Sequence, residues 1–332
     1  MDTPKMSVIL PIYNSEPDVL ASIGEIEKQT FDDYELIVVD DGSTDQTYSL
    51  AERHALGNSR IKVIRTEHLG PSHARNAGLA AARGQIVVFV ESDCVYGDSY
   101  LSKAAAQFER DPGASAVCLT GAPLITRSTL ATKCIDIENK IQHKLLNEGK
   151  IKPFYAWVFR KTDLEKLGGF DERLFQAEDR DLFRRMEKAD YRISLVPGVN
   201  WQHRRDQTTP QLAKKWFFRG RTRILYNMKH RLTLETLRTM LPLWATVAGL
   251  ILLAFFPIVG VGILLTVAAA FVAYSVRVAA ISWALINDKK AFLGYPFFAL
   301  VRNFSTALGY TIALPAVISG KVRGKELTWK SL

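Results

Sequence analysis

A long uncharged stretch in the C-terminal third restricts most strongly what this chain can fold into. No residue from Thr239 to Val276 carries a charge. A helix needs roughly 20 predominantly apolar residues to cross a bilayer, so the stretch is far longer than one crossing requires. It predicts a membrane helix from about Met240 to Phe256, a turn at "PIVGVG", and a second helix from about Val261 to Ile286.

The segments that follow leave the membrane topology open. Arg302 and Asn303 interrupt the apolar run from Ala291 to Ser319, which could be one spanning helix or an interfacial helix plus a spanning or re-entrant one. We therefore expect two to four helical segments within 239–320. The basic tail, 321–332, favours a cytosolic C-terminus by the positive-inside tendency, whereas three simple spans would place it outside. The N-terminus enters a strand without a signal peptide, so we expect a cytosolic soluble part and an integral protein of the cell membrane.

The net charge of +9 is concentrated before the uncharged stretch. Basic residues crowd between His203 and Arg238, opposed only by Asp206 and Glu235. Because this run adjoins an apolar segment, it favours an anionic membrane surface as its partner. Residues 206–238 are accordingly predicted to form a basic amphipathic interfacial segment. Nucleic acid is not an expected partner, since no nucleic-acid-binding motif is present.

Strand and helix patterns alternate through the first part of the chain. Runs that are apolar and rich in β-branched residues predict strands buried on both faces of a parallel sheet, and such sheets bind ligands beyond the carboxyl ends of their strands. The predicted strands are Ser7–Ile12, Glu35–Val39, Ile61–Ile64 and Ile86–Val90, and the helices between them are Asp18–Lys28, Tyr48–His54 and Ser72–Arg83.

Carboxylates follow two of these strands. Asp40 and Asp41 open "DDGSTD", and Glu91-Ser92-Asp93 ends the fourth strand. Acids spaced two apart can reach a hard divalent cation such as Mg²⁺ or Mn²⁺. Each group alone also fits an ordinary polar loop, but their common position at strand ends predicts that they converge on one crevice.

Three further motifs carry polar side chains. "HARNAGL" places Arg75 in a helix, where it could equally be solvated. "FQAEDRDLFRRM" places Glu178, Asp179 and Asp181 at a helix start, where acids either favour the helix dipole or supply a general base. "WQHRR" supplies His203, which fits a metal ligand, a phosphate donor or a surface residue.

In their order along the chain, these motifs resemble the family 2 glycosyltransferases. The set comprises PIYN after the first strand, DDGSTD, ARNAG, ESD, FDE followed by ED, and the final His, and it covers Ser7 to Arg205. The resemblance implies an α/β chain with the A-type glycosyltransferase fold, a Rossmann-like, mostly parallel sheet flanked by helices, followed by C-terminal transmembrane helices. Residues 1–205 would form the cytosolic catalytic domain and 239–320 the transmembrane region.

The resemblance also implies roles for individual residues. A nucleotide-sugar would be bound by Pro11, Tyr13, Asn14, Glu16, Asp40, Asp41, Arg75, Glu91, Ser92 and Asp93. A divalent cation, Mn²⁺ or Mg²⁺, would be held by Asp93, Glu91 and His203. Asp179 would be the catalytic base, with Glu178 beside it, and Arg204 and Arg205 would contact the departing diphosphate.

Two departures from the family pattern refine these expectations. The acidic motif begins with Glu91, where Asp is usual, so its reach toward the metal or the ribose differs by one methylene. Polymer synthases of the family carry Gln-x-x-Arg-Trp, whereas "QLAKKWFFRG" places Gln211 and Trp216 one residue too far apart, with Lys for Arg. We therefore expect transfer of one sugar per encounter.

The sequence thus predicts an inverting glycosyltransferase that uses a UDP-, GDP- or dTDP-sugar. Its acceptor would be membrane-bound: a polyprenyl phosphate, a lipid-linked glycan or a glycolipid. An alternative is a non-catalytic nucleotide-sugar-binding subunit of a membrane glycan-assembly complex, which only Glu91 suggests. A nucleotidyltransferase would want a glycine-rich phosphate loop near the first strand, and "PIYNSEPD" has none.

Overall fold

A computed structural model describes most of the chain. The described residues are 3–120, 129–151, 157–199, 201–203, 208–231, 233–286, 289–322, 328 and 330. Contacts divide the chain into two compact units. The first comprises Met1–Leu124 with Gln142–Arg205, and the second comprises Ile125–Ile141 with Asp206–Leu332.

The first unit is built on a seven-stranded mixed sheet. Its strands are β1 (Met6–Ile12), β2 (Tyr34–Asp40), β3 (Ile61–Arg65), β4 (Ile86–Phe89), β6 (Ala116–Thr120), β7 (Val158–Arg160) and β8 (Ile193–Pro197), in the order β3-β2-β1-β4-β7-β6-β8. Only β7 runs antiparallel to its neighbours, β4 and β6. A separate antiparallel pair joins β5 (Cys94–Tyr96) to β9 (Trp201–His203).

Strand side chains alternate between two hydrophobic cores, one on each face of the sheet. Val8 and Leu10 of β1 enter one core, and Ile9 between them enters the other. The reason is the two-residue period of a strand, which makes a strand buried on both faces apolar throughout. The first core is closed by α1 (Val19–Glu27), α2 (Thr47–Ala55) and α4 (Tyr100–Arg110), and the second by α3 (Pro71–Ala81), α6 (Lys161–Lys166) and α7 (Glu178–Lys188).

The predicted sheet is confirmed, while some elements were not predicted. All four predicted strands and the three helices between them are present within one or two residues of the expected ends. Helix α4 was not predicted, although its buried face, Tyr100, Leu101, Ala104, Ala105 and Phe108, has helical spacing. The short strands β5 and β9 were not predicted either, because three-residue segments carry almost no periodicity.

The second unit is helical. Helix α5 (Leu130–Asn147) begins in it, and α8 (Thr209–Lys229), α9 (Thr233–Phe255), α10 (Pro257–Ile286) and α11 (Lys289–Val322) follow. Within the described residues, three helical segments are long and apolar enough to cross a membrane: Thr236–Phe255, Pro257–Tyr274 and Gly294–Gly320. The turn expected at "PIVGVG" is wrong, since the helical break falls at Phe256 and Pro257 already starts α10, as proline readily does at a first helical position.

Helices α8 and α11 cross at two glycines. A β-carbon on Gly220 would lie 2.1 Å from the Thr306 carbonyl oxygen, and one on Gly309 would lie 2.1 Å from the Phe217 carbonyl oxygen. Small residues at a crossing let two helix backbones approach closely, as is common between membrane helices. Gly220 and Gly309 therefore fix the point at which α11 packs against α8.

Arg302, the charge that interrupts the third apolar run, is neutralised within this unit. It forms an ion pair with Glu138 of α5 and donates a hydrogen bond of 2.9 Å to the Tyr274 hydroxyl of α10. The Tyr295 hydroxyl donates to the same Glu138 carboxylate at 2.5 Å. Because α5 and α10 supply partners for Arg302, α11 accommodates a charge in its apolar sequence and continues as one helix.

Candidate active site

Asp40 ends β2 with one carboxylate oxygen left open. Its side chain is fully buried, and Oδ2 accepts a hydrogen bond from the Ser43 amide at 3.1 Å and lies 3.4 Å from Arg65 Nε. Oδ1 is buried and has no hydrogen-bond partner among the residues that the structure describes. Nearly all buried polar atoms in native proteins are paired with protein, ordered water or a ligand, so this carboxylate oxygen at the carboxyl end of β2 can accept a hydrogen bond from solvent or from a ligand.

Asp41, by contrast, is bonded to its own protein. Oδ1 accepts from the Leu69 amide and Oδ2 from the Gly70 amide, both at 3.0 Å, and His68 Nδ1 lies 3.0 Å from Oδ2. The carboxylate thereby holds the loop that leads into α3. Gly42 beside it has φ of 74°, and a β-carbon there would lie 2.8 Å from the His68 amide nitrogen, so this turn requires glycine.

The residues after β1 line the same edge of the sheet. Tyr13 is 41% exposed and stacks on the His68 ring, with centroids 4.0 Å apart and planes 16° from parallel. Asn14 has φ of 44° and accepts the Thr44 amide at 2.9 Å, while Glu16 accepts the Gln46 amide at 3.3 Å. These bonds tie the segment that begins at Pro11, within β1, to the loop after β2.

The acidic motif after β4 forms a compact ligand group. One ligand atom each of Glu91, Asp93 and Cys94 lies within 4.8 Å of the others. The Glu91 amide donates to the Tyr96 hydroxyl at 2.8 Å, and the Ser22 hydroxyl donates to the Ser92 carbonyl, so the backbone of the motif is held on both sides. Two partly exposed carboxylates fit a hard divalent cation. Burial, reinforced by both carboxylates, raises the pKa of the Cys94 thiol.

The strand pair β5–β9 brings the predicted histidine to this motif. His203 is the register partner of Cys94, the residue after Asp93. The backbone thus places His203 beside the acidic motif, while its side chain lies outside the described residues. Arg204 and Arg205 also lie outside them.

Arg75 and Glu178 form a buried ion pair. The two side chains are 6% and 12% exposed, and Arg75 Nη1 donates to Glu178 Oε1 at 2.8 Å. The guanidinium carbon also lies 4.9 Å from the centre of the Trp157 ring and 5.3 Å from that of Phe170. Burial raises the pKa of Glu178 to about 7, against the opposing effect of Arg75.

Asp179 is placed differently from its neighbour. It lies in the first turn of α7, partly exposed, with Oδ1 accepting the Arg180 amide at 2.7 Å. Ala177, the residue before the helix, has φ of 64°, a left-handed conformation that turns the chain sharply into α7. After this turn, Glu178 is buried and Asp179 is partly exposed.

Four contacts of these residues were not found from the sequence. His68 stacks on Tyr13, Trp157 and Phe170 pack on Arg75, and Cys94 adjoins the two carboxylates. Only Cys94 had a local signal, since it directly follows the acidic motif. The others come from segments remote in sequence, so their proximity is a property of the fold.

Comparison with known proteins identifies a family model and several similar glycosyltransferases. Residues 7–168 match the model of Glycosyl transferase family 2. Among curated relatives, the glycosyltransferase EpsJ of Bacillus subtilis is 41% identical over 104 residues, and the glycosyltransferase AglE of Haloferax volcanii is 25% identical over 259 residues. The match covers 31% of this chain and 29% of EpsJ, but 74% of this chain and 82% of AglE.

A solved structure shares the fold over nearly the whole chain. The mannosyltransferase PcManGT from Pyrobaculum calidifontis, in complex with GDP-Man and Mn²⁺, superposes with a TM-score of 0.62 at 22% identity. The alignment covers 94% of this chain and 88% of PcManGT. At this identity the likeness shows the fold alone, and it confirms the A-type glycosyltransferase fold predicted from the motifs.

Proposed function

Because residues 7–168 form a family 2 glycosyltransferase domain, we propose that this protein moves one sugar from a nucleotide-sugar to a membrane-bound acceptor. The observation that carries the proposal is the orphaned Oδ1 of Asp40, at the same sheet edge as the Tyr13–His68 stack and the Glu91–Asp93 pair. A hydrogen-bond acceptor, an aromatic face and an acidic group suit the base, ribose and metal-bound diphosphate of such a donor.

The donor's nucleoside would be held between β1 and β2. Asp40 Oδ1 would accept a donor group of the base or ribose, which would satisfy the one open oxygen of that carboxylate. The exposed Tyr13 ring offers a stacking face, and Asn14 and Glu16 fix the loop around it. UDP-, GDP- and dTDP-sugars all present such groups.

The acidic motif would hold a divalent cation. Asp93 and Glu91 supply carboxylates and His203 an imidazole, ligands that fit Mn²⁺ or Mg²⁺. When bound, such a cation offsets the negative charge that develops on a diphosphate leaving group. PcManGT, the fold neighbour, was solved with Mn²⁺. Arg204 and Arg205 would add positive charge toward the same leaving group.

Asp179 would act as the general base. Its partly exposed carboxylate can accept the proton of an acceptor hydroxyl or phosphate as that oxygen attacks the anomeric carbon. Attack from the face opposite the diphosphate is a single displacement, so the product has inverted anomeric configuration. The acidic first turn of α7 is favoured by the helix dipole, which keeps these carboxylates in place.

The acceptor is proposed to be lipid-linked. Three C-terminal helices are long and apolar enough to span a membrane, and α8 carries six basic residues and no acidic one. A soluble acceptor would not require a site tethered near lipid, whereas a polyprenyl phosphate, a lipid-linked glycan or a glycolipid would. The positive charge of α8 suits the cytosolic, anionic face of the membrane.

A transfer assay on membranes containing the full chain tests the proposal. Labelled UDP-, GDP- and dTDP-sugars are supplied with Mn²⁺ or Mg²⁺, and label is followed into the organic phase. We expect lipid label with the native protein, none with Asp179→Asn, and reduced Mn²⁺ binding in Asp93→Asn. Asp32→Asn is the matched control, because this 91%-exposed aspartate precedes the amino end of β2.

The other outcomes separate the alternatives. Nucleotide release without lipid label would overturn the lipid acceptor and indicate a water-soluble acceptor or donor hydrolysis. Donor binding without any turnover would favour the non-catalytic nucleotide-sugar-binding subunit. Lipid label that persists in Asp179→Asn would refute the assignment of the base.

A further inference from the structure

Arg75 lies where three parts of the first unit meet. It projects from α3, its guanidinium packs on Trp157 and Phe170, and it donates to Glu178 at the start of α7. The residue is only 5% exposed. A cation this deeply buried is stable only when it is paired and enclosed by groups that tolerate its charge, here a carboxylate and two aromatic faces.

Trp157 connects this arrangement to the acidic motif. Its carbonyl accepts the Phe89 amide at 2.7 Å, and Phe89 ends β4 two residues before Glu91. The Trp157 backbone is therefore fixed to the strand that carries the proposed metal ligands. Through this ring, Arg75 is held at a defined position relative to the end of β4.

Helix α3 also fastens the loop that delivers Glu178 and Asp179. The Asn76 side chain donates to the Phe170 carbonyl and accepts the Phe170 amide, both at 2.9 Å. The Ser72 hydroxyl donates to the Leu174 carbonyl at 2.7 Å. Helix α3 thus holds the loop before α7 through its bonds to Phe170 and Leu174. Arg75 adds a third bond at the end of that loop, to Glu178, the residue before Asp179.

We propose that Arg75 and Glu178 are a positioning pair that sets the location of Asp179 and do not themselves contact the donor or the reacting atoms. The inference rests on the proposed glycosyl transfer with Asp179 as base, and it replaces the donor contact that the family resemblance implies for Arg75. The geometric reason is that the Arg75 Nη1 bond and both ring contacts are made within the protein.

The two roles predict different kinetics. If Arg75 contacted the donor, its loss would raise the donor KM. If it positions Asp179, its loss lowers kcat and leaves donor KM within about twofold, because the interaction matters for the reacting geometry and not for ground-state binding. Misplacement of a reacting group by about 1 Å can cost about 100-fold in rate, which is the loss of kcat expected for Arg75→Met.

The pair also predicts how two substitutions combine. Glu178→Gln leaves the Arg75 cation buried and uncompensated, and Arg75→Met leaves the Glu178 carboxyl without its partner. Replacing both residues removes both charges, so neither is left buried without its partner. The double variant Arg75→Met/Glu178→Gln should therefore lose no more kcat than the worse single variant, whereas independent roles would multiply the losses. Arg75→Lys should restore part of the kcat lost in Arg75→Met.

Arg83 offers a matched control. It follows the C-terminal end of α3 and donates through its backbone amide and Nε to the buried Glu35, which lies near the amino end of β2, the opposite end of that strand from Asp40. Arg83→Met therefore breaks a second Arg–Glu pair of the first unit, in which the arginine side chain is 51% exposed against 6% for Arg75. It should leave kcat unchanged, and an equal loss in Arg83→Met would show that the effect of Arg75→Met is general destabilisation.

Hydrogen exchange supplies a readout that does not depend on turnover. In the full chain, Arg75→Met should speed exchange of the amides from 170 to 182, with β1 and β2 unchanged, and Arg83→Met should not affect that segment. Unchanged exchange there, or a raised donor KM with normal kcat, would overturn the positioning pair. A native protein that binds donor but transfers no sugar would instead refute the proposed function. In that case the hydrogen-exchange result would still decide whether Arg75 and Glu178 hold the segment 170–182.

Discussion

Asp40 and Asp41 are neighbours in sequence, yet replacing each by asparagine should affect different properties. Asp41→Asn should lower the stability of the fold, whereas Asp40→Asn should weaken nucleotide-sugar binding. In Asp41, different oxygens accept different amides: Oδ1 that of Leu69 and Oδ2 that of Gly70. An asparagine has one acceptor oxygen, so in either orientation Asp41→Asn turns an NH₂ toward a backbone N–H. In Asp40, Oδ1 has no hydrogen-bond partner within the described part of the chain, so the NH₂ of Asp40→Asn can occupy that position while the oxygen keeps the Ser43 bond.

The magnitude follows from these contacts. Asp41→Asn loses one hydrogen bond to a charged acceptor, about 1.5–3 kcal/mol, and leaves a poorly solvated donor, about 1 kcal/mol more. We expect a loss of about 3 kcal/mol in the free energy of unfolding. For a domain of this size that lowers the Tm by on the order of 10 °C. Asp40→Asn weakens only the contact to the half-exposed Arg65, worth about 0–1 kcal/mol.

The full chain in detergent can be heated with a thiol-reactive dye, because all three cysteines are buried and react only on unfolding. Donor binding is measured on the same samples. Asp41→Asn should lower the Tm, whereas Asp40→Asn should keep the Tm and weaken nucleotide-sugar binding. Equal destabilisation by both variants, or a larger effect of Asp40→Asn on the Tm, would refute the division of roles between these carboxylates.

Three further predictions test the buried charges and the helix crossing. Burial raises the pKa of Glu178 to about 7, above its usual 4.5, so the stability gained from its protonated form is complete below about pH 4.5 and is lost as pH rises through 7. Denaturant titrations should therefore show that the native chain loses stability relative to Glu178→Gln between these two pH values. A difference in unfolding free energy that stays constant with pH would contradict the raised pKa. Gly309→Val should lower the Tm in detergent by overpacking against α8, at a cost of about 1–3 kcal/mol, and an unchanged Tm would mean that the helices do not cross there. Glu138→Ala should lower the free energy of unfolding by about 3–5 kcal/mol, because it leaves the Arg302 charge uncompensated. The double variant Glu138→Ala/Arg302→Met should recover part of this loss. No recovery would argue against the Glu138–Arg302 ion pair.

The positions of the strands were predictable because a strand buried on both faces of a sheet has an uninterrupted apolar sequence. Continuous apolar runs rich in β-branched residues, such as Ile86–Phe89, are typical of such strands, and the acids that follow them mark the carboxyl edge of the sheet. The convergence of the loops after β1, β2 and β4 then follows from parallel topology alone. Helix α4 was within reach of the same kind of argument, because its buried residues recur at helical spacing along 100–108.

The contacts that decide chemical roles were not predictable in this way. Nothing local to "ARNAG" indicates that Arg75 meets Glu178, which lies 103 residues away. The stacking of Tyr13 on His68 likewise requires that the loop held by Asp41 return to the end of β1. Such pairings depend on how connections between strands fold back, and side-chain periodicity carries no information about that.

The two pairs of consecutive acids in the predicted site, Asp40–Asp41 and Glu178–Asp179, share one arrangement. In each pair, one side chain bonds to a segment that follows or precedes it at a distance in sequence: Asp41 holds the loop into α3, and Glu178 holds Arg75. Its neighbour is less fully bonded among the described residues, since Asp40 Oδ1 has no hydrogen-bond partner there and Asp179 is partly exposed. Adjacent side chains leave the backbone in different directions, so a chain that must both brace a loop and present an acid can do so with two consecutive residues. The bonded member fixes the backbone of the open one, and open carboxylates placed this way lose little freedom when a ligand arrives, which is the condition for a preorganised site.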